Sequence, residues 1–321
     1  MIGEIMRVRF GYVALPITIE ITSSSTITYT SFQKREDGLK VIDQLIRKNL
    51  QSLMEILKYN VKNGIHFYRL TSNLIPLATL EEVDFDYITP YLKEYQKIGD
   101  YIRQHQLRVD MHPDQYAVLN STNPKVVKNT TTILEYHAHI LDAMQIEEGK
   151  IILHVGSNQG GTKASLTRFQ HNFQKLPPFV REKIIIENDD KVFGVQEVLS
   201  LCQTLKVPMV LDYHHFLCHN NGEKLETFLA AIWHTWDQSK WNPKVHFSSP
   251  KSHFKKEFRS HHDYIDVTSF LSFLELIRPF QVDVDVMIEA KKRDCALFRL
   301  VRELKYRTDL SFLDETSFEL K

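Results

Sequence analysis

The feature that most constrains this chain is a rhythm: eight short runs rich in Ile, Val, Leu and Phe, each followed by a longer stretch of helical periodicity. The runs fall at 7–15, 65–70, 107–112, 150–155, 183–188, 207–213, 244–249 and 284–290. Several are nearly continuous in apolar residues, as strands covered on both faces are. The stretches that follow them, 38–63, 86–106, 123–147, 163–182, 195–205, 223–236, 264–277 and 291–304, read as helices with one buried face. Asn123 before Pro124 marks a helix start, a capping side chain followed by a ring that suits the first turn. Strict β–α alternation calls for a parallel sheet, and eight strands close a barrel. The expectation is therefore α/β, a single (β/α)8 TIM-type barrel with its core at about 7–304. Residues 307–321 lie outside the eight units as a short appended C-terminal tail. No Gly/Ser-rich linker or charge block divides the chain.

In such barrels the active site lies where the strands end. The third run ends at His112, the fourth at His154 and the fifth at Glu187. The sixth ends at Asp212, with His214 and His215 following; the seventh carries Lys244 and His246, and the eighth ends near Glu289. Any one of the fifteen histidines is more often a surface or hydrogen-bonded core residue than a ligand, and a lone strand-end acid usually caps a helix. Six consecutive strands bringing His, Asp or Glu to one rim are harder to explain by structure alone. Carboxylates can bridge two cations, and imidazoles favour Mn, Zn, Co or Fe over Mg or Ca. Two or three such ions would activate water and stabilise both oxygens of an in-line phosphoryl displacement. The histidines at 66, 105, 137, 139, 171, 219, 234 and 253 fall on helices or loops and most of them read as structural, and Trp233, Trp236 and Trp241 read as packing residues.

Composition limits the partners. Forty basic and forty acidic residues cancel, so a nucleic acid must be held by a local patch. The loop after the seventh strand supplies Lys251, Lys255, Lys256 and Arg259 against Glu257, and the eighth is followed by Lys291, Lys292 and Arg293. Either run alone would read as a solvated helix end; on a metal rim they favour DNA. Gln115 and Tyr116, just past His112, pair an amide with an aromatic that could enter a distorted base stack. Cys202, Cys218 and Cys295 form neither a disulfide framework nor a CxxC pair, which suits a reducing cytoplasm. No apolar run approaches the roughly 20 residues of a membrane helix. Residues 1–6 lack the features of a signal peptide, and nothing demands more than a monomer.

At these positions the sequence resembles the UV damage endonucleases. The matching segments include Arg9-Phe10-Gly11-Tyr12, Tyr68-Arg69-Leu70-Thr71-Ser72, Met111-His112-Pro113-Asp114-Gln115-Tyr116 and Leu153-His154-Val155-Gly156. They continue with Glu187-Asn188-Asp189-Asp190, Asp212-Tyr213-His214-His215, Lys244-Val245-His246-Phe247-Ser248-Ser249, Arg259-Ser260-His261 and Met287-Ile288-Glu289-Ala290-Lys291. The resemblance implies an α/β barrel with up to three divalent metals, commonly manganese, with Zn, Co or Mg as other candidates. It implies an endonuclease that nicks damaged double-stranded DNA 5′ of UV photoproducts and some other lesions. It makes His112, His154, Glu187, Asp212, His215, His246, His261 and Glu289 the metal ligands, with Glu187, Lys244 and His246 central to catalysis. Lys244 matches a lysine that family members can carry carboxylated. Gln115 and Tyr116 match residues that probe the duplex, and Tyr12 matches a further active-site tyrosine. Strand periodicity alone would pair Asp212 with His214; the resemblance selects His215, which requires the chain to leave strand geometry after Asp212. Two departures stand out: Leu80 where relatives often have histidine, and Pro16 where some have asparagine. Two rivals share the barrel, a metal-dependent sugar isomerase or epimerase and an abasic-site endonuclease. The basic loops argue against the first, and the Lys244-Val245-His246 and His112–Tyr116 segments against the second.

Overall fold

The structure, a computed structural model, describes residues 5–320. Eight parallel strands form a closed barrel: β1 (Met6–Val13), β2 (Phe67–Leu70), β3 (Arg108–Met111), β4 (Lys150–His154), β5 (Ile184–Glu187), β6 (Met209–Asp212), β7 (Lys244–Phe247) and β8 (Val284–Ile288). Each pairs with the next, and β1 closes the ring by pairing with both β2 and β8. Helices follow the strands and cover the outside, the longest being Gly38–Lys62. All eight expected strands are present, each trimmed at one or both ends.

Alternate residues of each strand face opposite ways. On β5, Ile184 and Ile186 join the large apolar layer beneath the helices. Ile185 instead joins Ile152, Val210 and Trp236 in a small cluster inside the barrel. Glu187 shares the inward face of Ile185, one step nearer the rim. The same parity carries Arg69, His112, His154, Asp212, His246 and Glu289 inward, in one ring at the C-terminal ends of the strands.

Below that ring the interior is ionic as well as apolar. Asp285 accepts hydrogen bonds from Arg9 Nε and Arg108 Nη1, both at 2.7 Å. Lys244 Nζ donates to Asp110. Trp236 and Trp241 pack on the Arg108 guanidinium at 5.0 and 5.8 Å, and their indole N–H groups donate to Met209 O and Glu148 O. These two tryptophans are packing residues, as expected. Buried charges persist only when paired, and here each cation of the layer meets a carboxylate.

The expected tail is part of the sheet. Strands β9 (Leu310–Phe312) and β10 (Ser317–Leu320) form a hairpin, and β10 runs antiparallel to β1, Met6 opposite Leu320 and Arg9 opposite Ser317. The hairpin takes the edge of β1 that β2 reaches only from Gly11 onward. At that crossing a side chain on Gly11 would lie 2.5 Å from Phe67 O, so only glycine allows the two strands to meet. His66 pairs with Asp314 at 2.5 Å and Thr316 Oγ1 donates to Gly64 O, tying the hairpin to the start of β2. Residues 1–4 and Lys321 lie outside the described residues.

Candidate metal centre and nucleic-acid rim

Glu187 lies at the middle of the ring, buried, with its two oxygens turned to different partners. Oε2 is 3.1 Å from His112 Nε2 and 3.7 Å from His154 Nε2. Oε1 is 2.9 Å from His246 Nδ1 and 3.5 Å from His215 Nδ1. Three groups have ligand atoms close enough to share a cation: His112, His154 and Glu187; Glu187, Asp212 and His215; Asp212, His246 and Glu289. Glu187 belongs to two of them and Asp212 to two, as bridging carboxylates must.

Asp212 explains the choice between the neighbouring histidines. It ends β6 and caps the helix Tyr213–Cys218, its Oδ1 accepting the backbone N–H of His215 at 2.7 Å. The turn begins at once, so period-two spacing no longer applies and His215 comes round to the carboxylates. His214 is buried outside all three groups, and burial lowers it to about 4. His261 stands at the margin, its Nδ1 3.9 Å from Glu289 Oε2.

The electrostatics fit a cation site. Burial opposes the charge on Glu187 and Glu289, yet His246 and His154 around the first, and Arg69 and His246 beside the second, hold both well below the usual carboxylate range. Asp212 is pushed well above that range by burial, and Glu187 and Glu289 add to the effect. His246 is lowered to about 4 by burial despite its carboxylate neighbours. His215 goes the other way, to about 9: burial disfavours its charge, but Asp212, Glu187 and Glu289 outweigh it. Among the described residues Asp212 Oδ2 and His154 Nδ1 are buried polar atoms with no hydrogen-bond partner. A buried carboxylate oxygen left bare beside two imidazoles is what a divalent ion would satisfy.

Arg69 carries no ligand-type side chain, so strand-end ligand chemistry does not single it out in the sequence. Its Nη2 lies 2.6 Å from Glu289 Oε1 and 2.9 Å from His246 Nε2, so a guanidinium stands among the candidate ligands. Inward parity on β2 would have placed it there. Lys244 sits one layer lower than His246 on the same face of β7. Burial lowers it to about 8, Asp110 partly offsetting this while Arg69 and Arg108 add to it. His137, expected to be structural, supports the ring indirectly: its Nε2 is 3.0 Å from Ser72 Oγ, which donates to His112 O.

Tyr12 requires a correction. On β1 it shares parity with Val8 and Phe10, faces the helical layer, is fully buried, and donates its hydroxyl to Asn60 Oδ1 at 2.8 Å. It does not reach the rim. The basic rim is also thinner than the sequence suggested. Arg259 Nε donates to Asp190 at 2.7 Å and Lys251 pairs with Glu257. Lys255 and Lys256 are exposed with no ion-pair partner among the described residues, and Lys291 is exposed nearby. Gln115 and Tyr116 are exposed on the loop after β3. With Arg69, His112 and His154 they line a cleft of about 620 Å³ that opens beside the ring. Leu80 is exposed and Pro16 buried. No helix among the described residues is long and apolar enough to cross a membrane.

Fold and site together define a (β/α)8 barrel whose C-terminal rim gathers histidines and shared carboxylates into clusters that could hold metal. A model of the UV-endonuclease UvdE family matches residues 8–318. The chain belongs to this family. It is 41% identical over 306 residues to a UV DNA damage endonuclease of Bacillus cereus, covering 93% of this chain and 95% of that one. A solved structure described as SacUVDE superposes with a TM-score of 0.83 at 34% identity, covering 93% of this chain and 98% of the other. Endonuclease IV from Thermus thermophilus superposes with a TM-score of 0.56 over 93% of this chain and 100% of its own, but at 11% identity it shares the fold alone.

Proposed function

We propose that this chain is a metal-dependent endonuclease that nicks the DNA backbone on the 5′ side of UV photoproducts in double-stranded DNA. The observation that carries this reading is the sharing of Glu187 and Asp212 among three ligand groups, in a chain that belongs to the UvdE family. His112 and His154 with Glu187, His215 with Glu187 and Asp212, and His246 and Glu289 with Asp212 would hold the ions, with His261 beside Glu289. Manganese suits this mixed imidazole–carboxylate set, and Zn or Co would be accepted by it. Bound there, the ions would supply water activation and charge neutralisation at the phosphate.

The protein's own groups do the rest. Glu187 stays ionised and divides its oxygens between the two flanks of the centre. Arg69 offsets part of the negative charge of Glu289 and fixes the position of His246. The Lys244–Asp110 pair closes the floor beneath the ring. Gln115 and Tyr116 stand over the cleft, where a photoproduct, already weakened in stacking and pairing, is opened at less cost than intact duplex. The rim is an open cleft with unpaired lysines, unlike the closed pocket a sugar isomerase needs.

The test is incubation with a duplex carrying one defined photoproduct, an undamaged duplex and an abasic-site duplex, each with manganese and with chelator. Metal-dependent cleavage just 5′ of the photoproduct is expected. Cleavage of the abasic duplex alone would replace this reading with abasic-site repair.

A further inference from the structure

The loop between β7 and the helix Val267–Ile277 holds an aromatic ring that no part of the centre uses. Its base is closed by an antiparallel bridge between Pro250 and His261, with Lys251 N donating to Ser260 O at 2.6 Å and His262 N to Ser249 O at 2.8 Å. The tip is a tight turn in which Phe254 O accepts the N–H groups of Glu257 and Phe258 at 2.8 and 2.9 Å. The loop's two phenylalanines differ. Phe258 turns inward and packs on His214 at 5.7 Å. Phe254 points outward and is 79% exposed, matching Tyr116 at 77%. The segments carrying the family resemblance stop at Ser249 and resume at Arg259, so Phe254 falls between them.

Position gives the ring a meaning that exposure alone does not. In an eight-stranded barrel β3 and β7 lie four strands apart, on opposite sides of the axis. Tyr116 follows one and Phe254 the other, with the carboxylate–histidine ring between them. Lys255 and Lys256 next to Phe254 have no acidic partner among the described residues, and a cleft of about 450 Å³ lined in part by Lys191, Lys255 and Arg259 opens beside the loop. An apolar ring on a pinned loop, flanked by free cations, matches a base stack bordered by phosphates.

We propose that Phe254 is a second aromatic contact to DNA, stacking against or wedging between bases on the side of the centre opposite Tyr116, while Lys255 and the neighbouring cleft take the backbone. This rests on the DNA-nicking reading above. The test is single-turnover nicking of a photoproduct duplex with manganese at increasing enzyme concentration, for the unaltered chain, Phe254→Ala and Phe254→Trp. Phe254→Ala should raise the half-saturating concentration about tenfold, the loss of one base–aromatic stack, and Phe254→Trp should restore it. Because no charge is removed, the salt dependence should stay unchanged, unlike that of lysine variants. If the unaltered chain nicks and Phe254→Ala saturates at the same concentration, the inference is overturned while the nicking reading stands. If the unaltered chain does not nick the duplex, both fall together.

Discussion

Glu187 is the residue through which the whole centre is organised, because its two oxygens face different sets of histidines. Glu187→Gln keeps the shape and removes the charge. Nicking should fall by about a thousandfold or more, the scale of losing a bridging ligand. Binding of damaged duplex, measured by fluorescence anisotropy, should change little; full nicking activity would remove Glu187 from the centre. At this scale the sequence was legible wherever parity and ligand chemistry agreed. Residues at the strand ends with inward parity on β3 to β8 did converge. Tyr12 lies away from the ring because its parity on β1 points outward, alongside Val8 and Phe10, which a motif match alone does not reveal. Arg69 shows the opposite case: its parity is inward, but a guanidinium is not a metal ligand, so ligand chemistry alone does not mark it.

Among the elements, the C-terminal hairpin departs furthest from expectation. Short strands such as Leu310–Phe312 and Ser317–Leu320 carry too few residues for a period to register, and β1, the partner of the second, is distant in sequence. Yet Phe318 is fully buried, its ring 5.7 Å from Phe10 and 5.3 Å from Phe312. Phe318→Ala should lower unfolding free energy by about 3–5 kcal/mol, as truncating a buried phenylalanine does. Denaturant titration checks this, and a drop under about 1 kcal/mol would mean the hairpin is not part of the core. The turn after Asp212 was more readable than it looked. An aspartate three residues before the histidine whose N–H it accepts is an N-cap, and that geometry selects His215 over His214.

For the molecule as a whole, balanced charge sets how it meets DNA. With forty residues of each sign there is no bulk attraction, and ion pairs at Arg259 and Lys251 remove two of the cations the loop seemed to offer. Replacing Lys255 and Lys256 together with alanine should lower the slope of log affinity against log salt by about 2, near 0.9 for each phosphate no longer neutralised. An unchanged slope would place the backbone elsewhere on the rim. The barrel itself decides none of this, since it serves unrelated chemistries. Its closure has a further consequence. Arg7 meets Glu319 across 312 positions of chain, and β1 is bordered by β8 on one side and by β10, then β2, on the other. Of the partners of β1 only β2 is near in sequence, so the edge facing β8 and the stretch facing β10 must wait for segments far along the chain. So long a separation between partners makes a slow folder, and one whose early intermediates leave an apolar strand edge open to the wrong neighbour.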